Sequence, residues 1–340
     1  MTNPITTAYR LLGHFWLEEV KPDDTATIVA LPELAQTLPN IDAAALSQLA
    51  VEYQRLFGFN LPPYESVFID PTAMLMAPAT ERVQRLYGQA GWQPPEGTRS
   101  GAPDHLGLEL LALADWQDAG QTGLAAQLHQ QHLALWLPAF AQTLRRLKPH
   151  PFYAALADLT EELILSTLPQ SAAADNDDPF PQLPPPPVFR GSGPDEFAGT
   201  PAAGQGEALT PLPPSGEEQA AGEEAVRLRD IVKRLLPPCD TGLYLTREDI
   251  ARMAQALNMP ASMGDRYKML ETLFRQAGEF DLLPRIFHQF NAILDTAHLN
   301  FEQQAESYPR WQRYAIAWQR RLDDTKSLLR ELAQVAASNG

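Results

Sequence analysis

Three residues close together carry the first hint of chemistry. In GAPDHLGLELLALADW, a proline-preceded Asp104 stands beside His105, and Glu109 follows four positions later on the same helical face. Two readings stay open. Asp104 can be an N-cap whose carboxylate takes up a free backbone N–H, with His105 and Glu109 a solvated i, i+4 pair. Alternatively, His105 and Glu109 can join His129 and His132 of HQQH as metal ligands for a hydrolytic or redox reaction in a helical bundle. No Glu-x-x-His partner repeats on a second helix, which weakens a di-metal site. A second constellation is PPYES, Pro62 to Ser66, a rigid turn presenting Tyr64 and Glu65. Ser66 lies in Y-E-S-V rather than G-x-S-x-G, so nothing marks it as a hydrolase nucleophile. No G-x-x-x-x-G-K phosphate loop occurs either. Cys239 is the one cysteine, which excludes an internal disulfide framework and any CxxC site and suits a reducing compartment.

The elements that must position these residues are helices. Val and Ile together number only 19 of 340 residues, while Leu and Ala dominate. Stripes at i, i+3, i+4 and i+7 run through Tyr9, Leu12 and Trp16; Leu46, Leu49, Tyr53, Leu56 and Phe57; and Val83, Leu86 and Tyr87. Further helical stretches cover Leu106 to Trp116 and Leu124 to Leu147, with a kink or a new helix expected at Pro138. Pro151 fits the first turn of a helix reaching about Leu168. Downstream, Val226 to Leu236, Thr246 to Leu257, Gly264 to Gln276 and Phe280 to Leu294 read as short helices, Thr246 being an N-cap. A long helix follows, with Trp311, Trp318, Thr325 and Leu332 at seven-residue spacing and Arg321 breaking a second row.

Charge divides the chain in three. Residues 1–168 carry a net −9, residues 169–224 another −9, and residues 225–340 a net +2, within a total of −16. The middle stretch holds 12 of the 31 prolines, including Pro184 to Pro187, and reads as a disordered acidic linker. The expected organisation is therefore all-α: a helical bundle over 1–168, a Pro-rich linker over 169–224 and a second helical region over 225–340. An acidic N-terminal region repels phosphate backbones, so nucleic acid is not an expected partner. The sequence lacks an 18-residue apolar run, and its first residues lack a basic stretch ahead of an apolar one, so a cytoplasmic protein without stable membrane insertion is expected.

An ordered series of motifs resembles a known family. Y-x-x-L-F at Tyr53 to Phe57, P-Y-E-S at Pro63 to Ser66, Y-x-x-x-G at Tyr87 to Gly91, D-H-x-x-x-E-L at Asp104 to Leu110, H-L-x-x-W at His132 to Trp136 and F-Y-x-x-L-A at Phe152 to Ala157 are similar to the TorD/DmsD/NarJ family. The resemblance covers most of residues 5–168. It implies an all-helical cytoplasmic chaperone, not an enzyme and without a cofactor of its own, dedicated to molybdopterin oxidoreductases of the dimethyl-sulfoxide-reductase type. Such a protein holds the apo catalytic subunit, often by a twin-arginine leader, until cofactor is inserted. The Asp-His pair carries over to Asp104 and His105 as part of the leader-binding region. Guanidinium groups need carboxylates and an apolar stretch needs a groove, so Glu65, Glu109, Tyr64, Leu56 and Phe57 complete the expected client site. The linker and the 225–340 region depart from the smaller members. Thr241 to Pro260 resembles extensions of long ones, and the net +2 of residues 225–340 suits either docking onto the acidic N-terminal region or a second client surface. A helical adaptor with an unrelated client is the other alternative, and the chain is expected to be a monomer or a homodimer.

Overall fold

The computed structural model describes residues 3–98, 100–170, 177–183 and 228–338. Helix α1 (Pro4–Leu17) opens with Pro4 in its first turn and Asn3 as N-cap, the Asn3 Oδ1 accepting from the Ile5 N–H. It packs closely against α7 (Leu106–Asp118): a Cβ on Gly107 would lie 2.5 Å from both the Gly13 carbonyl oxygen and Leu17 Cγ. Between these come α2 (Thr25–Ala30), α3 (Pro32–Ala35), α4 (Ala43–Tyr53), α5 (Glu65–Ile69) and α6 (Pro78–Ala90). After α4 the chain widens into a π-helical turn, Gln54–Asn60, and α6 is closed by Gly91 at φ 62°. Helices α8 (Thr122–Leu128), α9 (Ala134–Arg146) and α10 (Pro151–Ser166) complete this half.

Helix α9 is the centre of the core, with every residue from Ala134 to Leu144 buried. Phe140 meets Trp16, Phe57 and Phe68 at ring separations of 5.4, 6.4 and 6.0 Å. The break expected at Pro138 falls one turn earlier instead, as a π-helical turn over His129–Leu133, and Pro138 sits within a continuous helix. The physical reason lies in its hydrogen bonds. Proline has no N–H to give the carbonyl four residues back, that of Ala134. An indole supplies the missing donor, because Trp311 Nε1 donates to the Ala134 oxygen at 2.7 Å.

That indole belongs to the C-terminal region, which consists of α11 (228–235), α12 (Pro238–Thr241), α13 (Arg247–Ala256), α14 (Arg266–Glu279), α15 (Leu283–Ser307) and α16 (Gln312–Ser338). The helix expected over Phe280 to Leu294 runs on to Ser307. Trp318 Nε1 donates to the Leu135 oxygen and the Tyr314 hydroxyl to the Gln130 oxygen, so one face of α16 closes over α9 and the turn before it. Tyr244 stacks on Phe68 at 5.3 Å and donates to the Asn60 oxygen, while Asp249 pairs with Arg146. One hydrophobic core thus runs through both regions. Arg321, which interrupts a heptad row in the sequence, turns aside to the Cys239 carbonyl, Asp178 and the ring of Phe180. Residues 177–183 of the expected linker therefore pack on α16, Phe180 standing edge-on to Trp318 at 5.0 Å. Linker positions 171–176 and 184–224, and 225–227 at the start of the C-terminal region, lie outside the described residues. Among the described residues there is no β-strand, and no helix is long and apolar enough to cross a membrane.

Candidate functional site

The two motifs that open the sequence reading meet in space. Residues 63–66 and 104–106 run side by side: the Glu65 N–H donates to the Asp104 carbonyl at 3.0 Å, the Leu106 N–H donates to the Pro63 carbonyl at 2.9 Å, and Tyr64 and His105 form an isolated antiparallel bridge. Asp104 is fully buried. Its Oδ2 accepts the Ser66 N–H at 2.7 Å and its Oδ1 the Thr80 hydroxyl at 3.1 Å. The carboxylate expected to cap its own helix therefore caps α5 across the fold. The N-cap of α7 is His105, whose Nδ1 accepts from the Gly107 N–H at 3.1 Å. Burial lowers the His105 pKa from 6.5 to about 3, so the ring is neutral and keeps its acceptor lone pair.

Glu65 is equally enclosed. Arg82 Nη1 donates to its Oε1 at 3.0 Å and His132 Nδ1 lies 2.7 Å from its Oε2. Arg82 also reaches the Gln131 carbonyl, joining α6 to the turn before α9. Glu109, with no exposure, accepts from Trp136 Nε1 at 3.2 Å through Oε2, while its Oε1 meets no hydrogen-bond partner. Burial first, and then the charges of Glu65 and Asp104, push its pKa well above the ordinary range. Burial raises that of Asp104 also, against the opposing bonds from Ser66. Tyr64 is half-buried, its hydroxyl accepting the Gly101 N–H and its ring standing edge-on to His105 at 4.9 Å. Leu56 and Phe57 lie in the core, Phe57 between Trp16, Tyr53 and Tyr153.

The arrangement brings Tyr64, Glu65, Asp104, His105 and Glu109 into one polar node that joins α5, α6, α7 and α9. Its members face one another rather than solvent. Arg82, with 17% of its side chain exposed, and Tyr64 are the members that reach the surface. Spacing does not single out Arg82, Thr80 or the main chain of Ser66; two arginines, Arg82 and Arg85, flank the apolar stripe of Val83, Leu86 and Tyr87, and nothing in the sequence separates them. The four candidate metal ligands do not converge. His105 is spent on Gly107, His129 Nε2 contacts the Ile164 carbonyl at 2.7 Å, and His132 engages Glu65. Among the described residues, no group of three His, Cys, Asp or Glu side chains is placed to hold a metal ion. Cys239 is buried, and burial raises its thiol pKa.

Fold and site together define an all-α scaffold whose motif residues knit its helices around a closed polar centre. Residues 21–142 match the family model described as nitrate reductase delta subunit. That match contains the whole node and supports the resemblance to the NarJ/TorD-type chaperone family; the C-terminal extension lies outside it. A molybdoenzyme-maturation role in general is what the match implies. No curated protein matches the chain.

Proposed function

We propose that this chain is a cytoplasmic, client-specific chaperone for the catalytic subunit of a molybdopterin oxidoreductase of the dimethyl-sulfoxide-reductase type. It binds the apo subunit, through its body or its twin-arginine leader, and favours the cofactor-receptive state by preferential binding. The observation that carries this reading is the family match over residues 21–142, which encloses both the P-Y-E-S and D-H-x-x-x-E-L motifs. Contact with the client runs through the rim of the node, at Tyr64 and Arg82. Glu65, Asp104, His105 and Glu109 hold that rim in place. No turnover is assigned to these groups.

The test is capture from the native host by the tagged full-length protein, read by mass spectrometry. Enrichment of a molybdopterin oxidoreductase subunit is the expected result, with Tyr64→Ala/Arg82→Met reducing it while the melting curve stays cooperative. Capture that never includes such a subunit would overturn the proposal.

A further inference from the structure

A groove of about 680 Å³ runs between α13 and α15 and is bounded at one side by residues 145–148, where α9 stops. It belongs mainly to the C-terminal extension, on elements that the polar node does not use. Two helical stripes line it. On α13, Asp249, Arg252, Met253 and Ala256 fall at i, i+3, i+4 and i+7. On α15, Gln289, Ala292, Ile293 and Thr296 repeat that spacing. The floor is apolar: Met253 is buried, Ile293 is half-buried, and Ala256 and Ala292 are exposed, their short side chains leaving room above them. The rim is cationic. Arg145 is matched by Asp158 and Glu161, but Arg146 and Arg252 share the one carboxylate of Asp249, and Lys148 meets no acceptor or anion among the described residues. Three cations thus stand against one carboxylate in a chain of net charge −16. Three other cavities lack this surplus: the one between α1 and α10 and the one between α15 and α16 present carboxylates and no cation, and the one beside α12 sets three arginines against three aspartates.

Two stripes of like spacing with small residues in them form a trough that a third helix fills, its ridges entering the space over Ala256 and Ala292. Each stripe spans seven residue steps, about 10 Å at about 1.5 Å per residue, or roughly two helical turns. Surplus cations beside the trough select carboxylates that flank the incoming apolar stripe. A polyanion would extend past the groove and meet the acidic remainder of the molecule, and a basic peptide is repelled at the rim. We propose that this groove docks an acidic amphipathic helix of a partner protein, with aliphatic or aromatic residues on its buried stripe and Glu or Asp beside them. The proposal does not rest on the chaperone reading, since it concerns the extension and a ligand of the opposite charge to a twin-arginine leader.

The test titrates the full-length protein with a fluorescently labelled, helix-forming synthetic peptide that has Leu at i, i+3, i+4 and i+7 and Glu on either side of that stripe. The peptide binds, and a scrambled peptide of the same composition binds roughly tenfold more weakly. Lys148→Asn/Arg252→Gln weakens binding roughly three- to tenfold at low salt and less at high salt, asparagine suiting the left-handed backbone that Lys148 adopts at φ 48°. Ile293→Gln weakens binding about fivefold at every salt concentration while the melting curve stays cooperative. Arg85→Gln/Arg330→Gln, which removes the same charge from exposed positions on α6 and α16, leaves affinity within about twofold. Equal losses in the two cation pairs, or equal binding of the scrambled peptide, would overturn the groove in favour of unspecific charge attraction. No peptide binding, or binding indifferent to Lys148, Arg252 and Ile293, would overturn it too. Phosphatidylserine vesicles bound in place of the peptide, and released by Lys148→Asn/Arg252→Gln, would overturn the helix in favour of a lipid surface. Capture of an oxidoreductase subunit from the host is a separate readout, and either result there leaves the peptide titration standing.

Discussion

His105 ties protonation to stability in a way that one substitution isolates. Its ring is 4% exposed and its Nδ1 faces a backbone N–H, so protonation would bury a charge and set donor against donor. The unfolded chain titrates near 6.5 and the folded chain near 3. Between those values the unfolded state holds the extra proton, so stability falls as pH falls, by about 1.4 kcal/mol per unit. At about pH 5 the loss from this ring is roughly 2 kcal/mol, and it is negligible above about pH 7.5. Glu109 acts in the opposite sense. Its raised pKa contributes stability that is present at low pH and lost as pH rises, so the pH profile of the parent protein mixes the two. His105→Asn separates them. Asparagine is a strong N-cap and its Oδ1 can accept the Gly107 N–H, but it does not titrate in this range. Lost volume and the lost edge contact with Tyr64 add an offset that does not depend on pH. Urea unfolding followed by helical circular dichroism at about pH 7.5 and about pH 5 therefore gives a parent-minus-variant difference that shifts by about 2 kcal/mol in favour of the variant at the lower pH. An identical difference at both values would refute the buried neutral cap.

Three further outcomes follow from packing and charge. Gly107→Ala forces α1 and α7 apart and costs about 1–3 kcal/mol in urea unfolding, whereas Gly88→Ala, where an added Cβ meets nothing within 4 Å on α6, gains about 0.5–1 kcal/mol. Asp249→Ala removes the acceptor of Arg146 and Arg252 and breaks the capping box with Thr246, all at a site 1% exposed; a loss of about 3–5 kcal/mol is expected, visible as a lower denaturant midpoint. Glu65→Ala strands Arg82 and His132 and costs a similar 3–5 kcal/mol or so by the same assay, while Glu81→Ala on the exposed face of α6 leaves the midpoint within about 0.5 kcal/mol of the parent.

Helical periodicity made the N-terminal half legible because its stripes are local: Tyr9 with Leu12 and Trp16, or Val83 with Leu86, end up buried as their spacing predicts. Pro151 does open α10, and Thr246 does cap α13. Long-range exchanges of hydrogen bonds were not legible. Asp104 is preceded by proline and followed by a helix, so local rules assign it to α7, yet the pairing of 63–66 with 104–106 hands its carboxylate to α5 and leaves the cap to His105. Nothing within a few residues of Pro138 announces that its missing donor arrives from Trp311. The structure brings Asp104 and His105 beside Tyr64 and Glu65, which lie some forty residues away in the sequence, but the partners that neutralise Glu65, Arg82 and His132, come from other elements and carry no local signal.

The docking of α16 onto α9 also bears on how such a chain can change over generations. The Ala134 carbonyl needs one donor, and Pro138 and Trp311 divide that need between them. Replacement of Pro138 by a residue with an N–H would let α9 satisfy its own carbonyl and relax selection for an indole at 311. Loss of the indole would in turn favour return of the N–H. The two positions should therefore covary among relatives that share the extension, and those without it carry no hydrogen-bond requirement for proline at the position of Pro138.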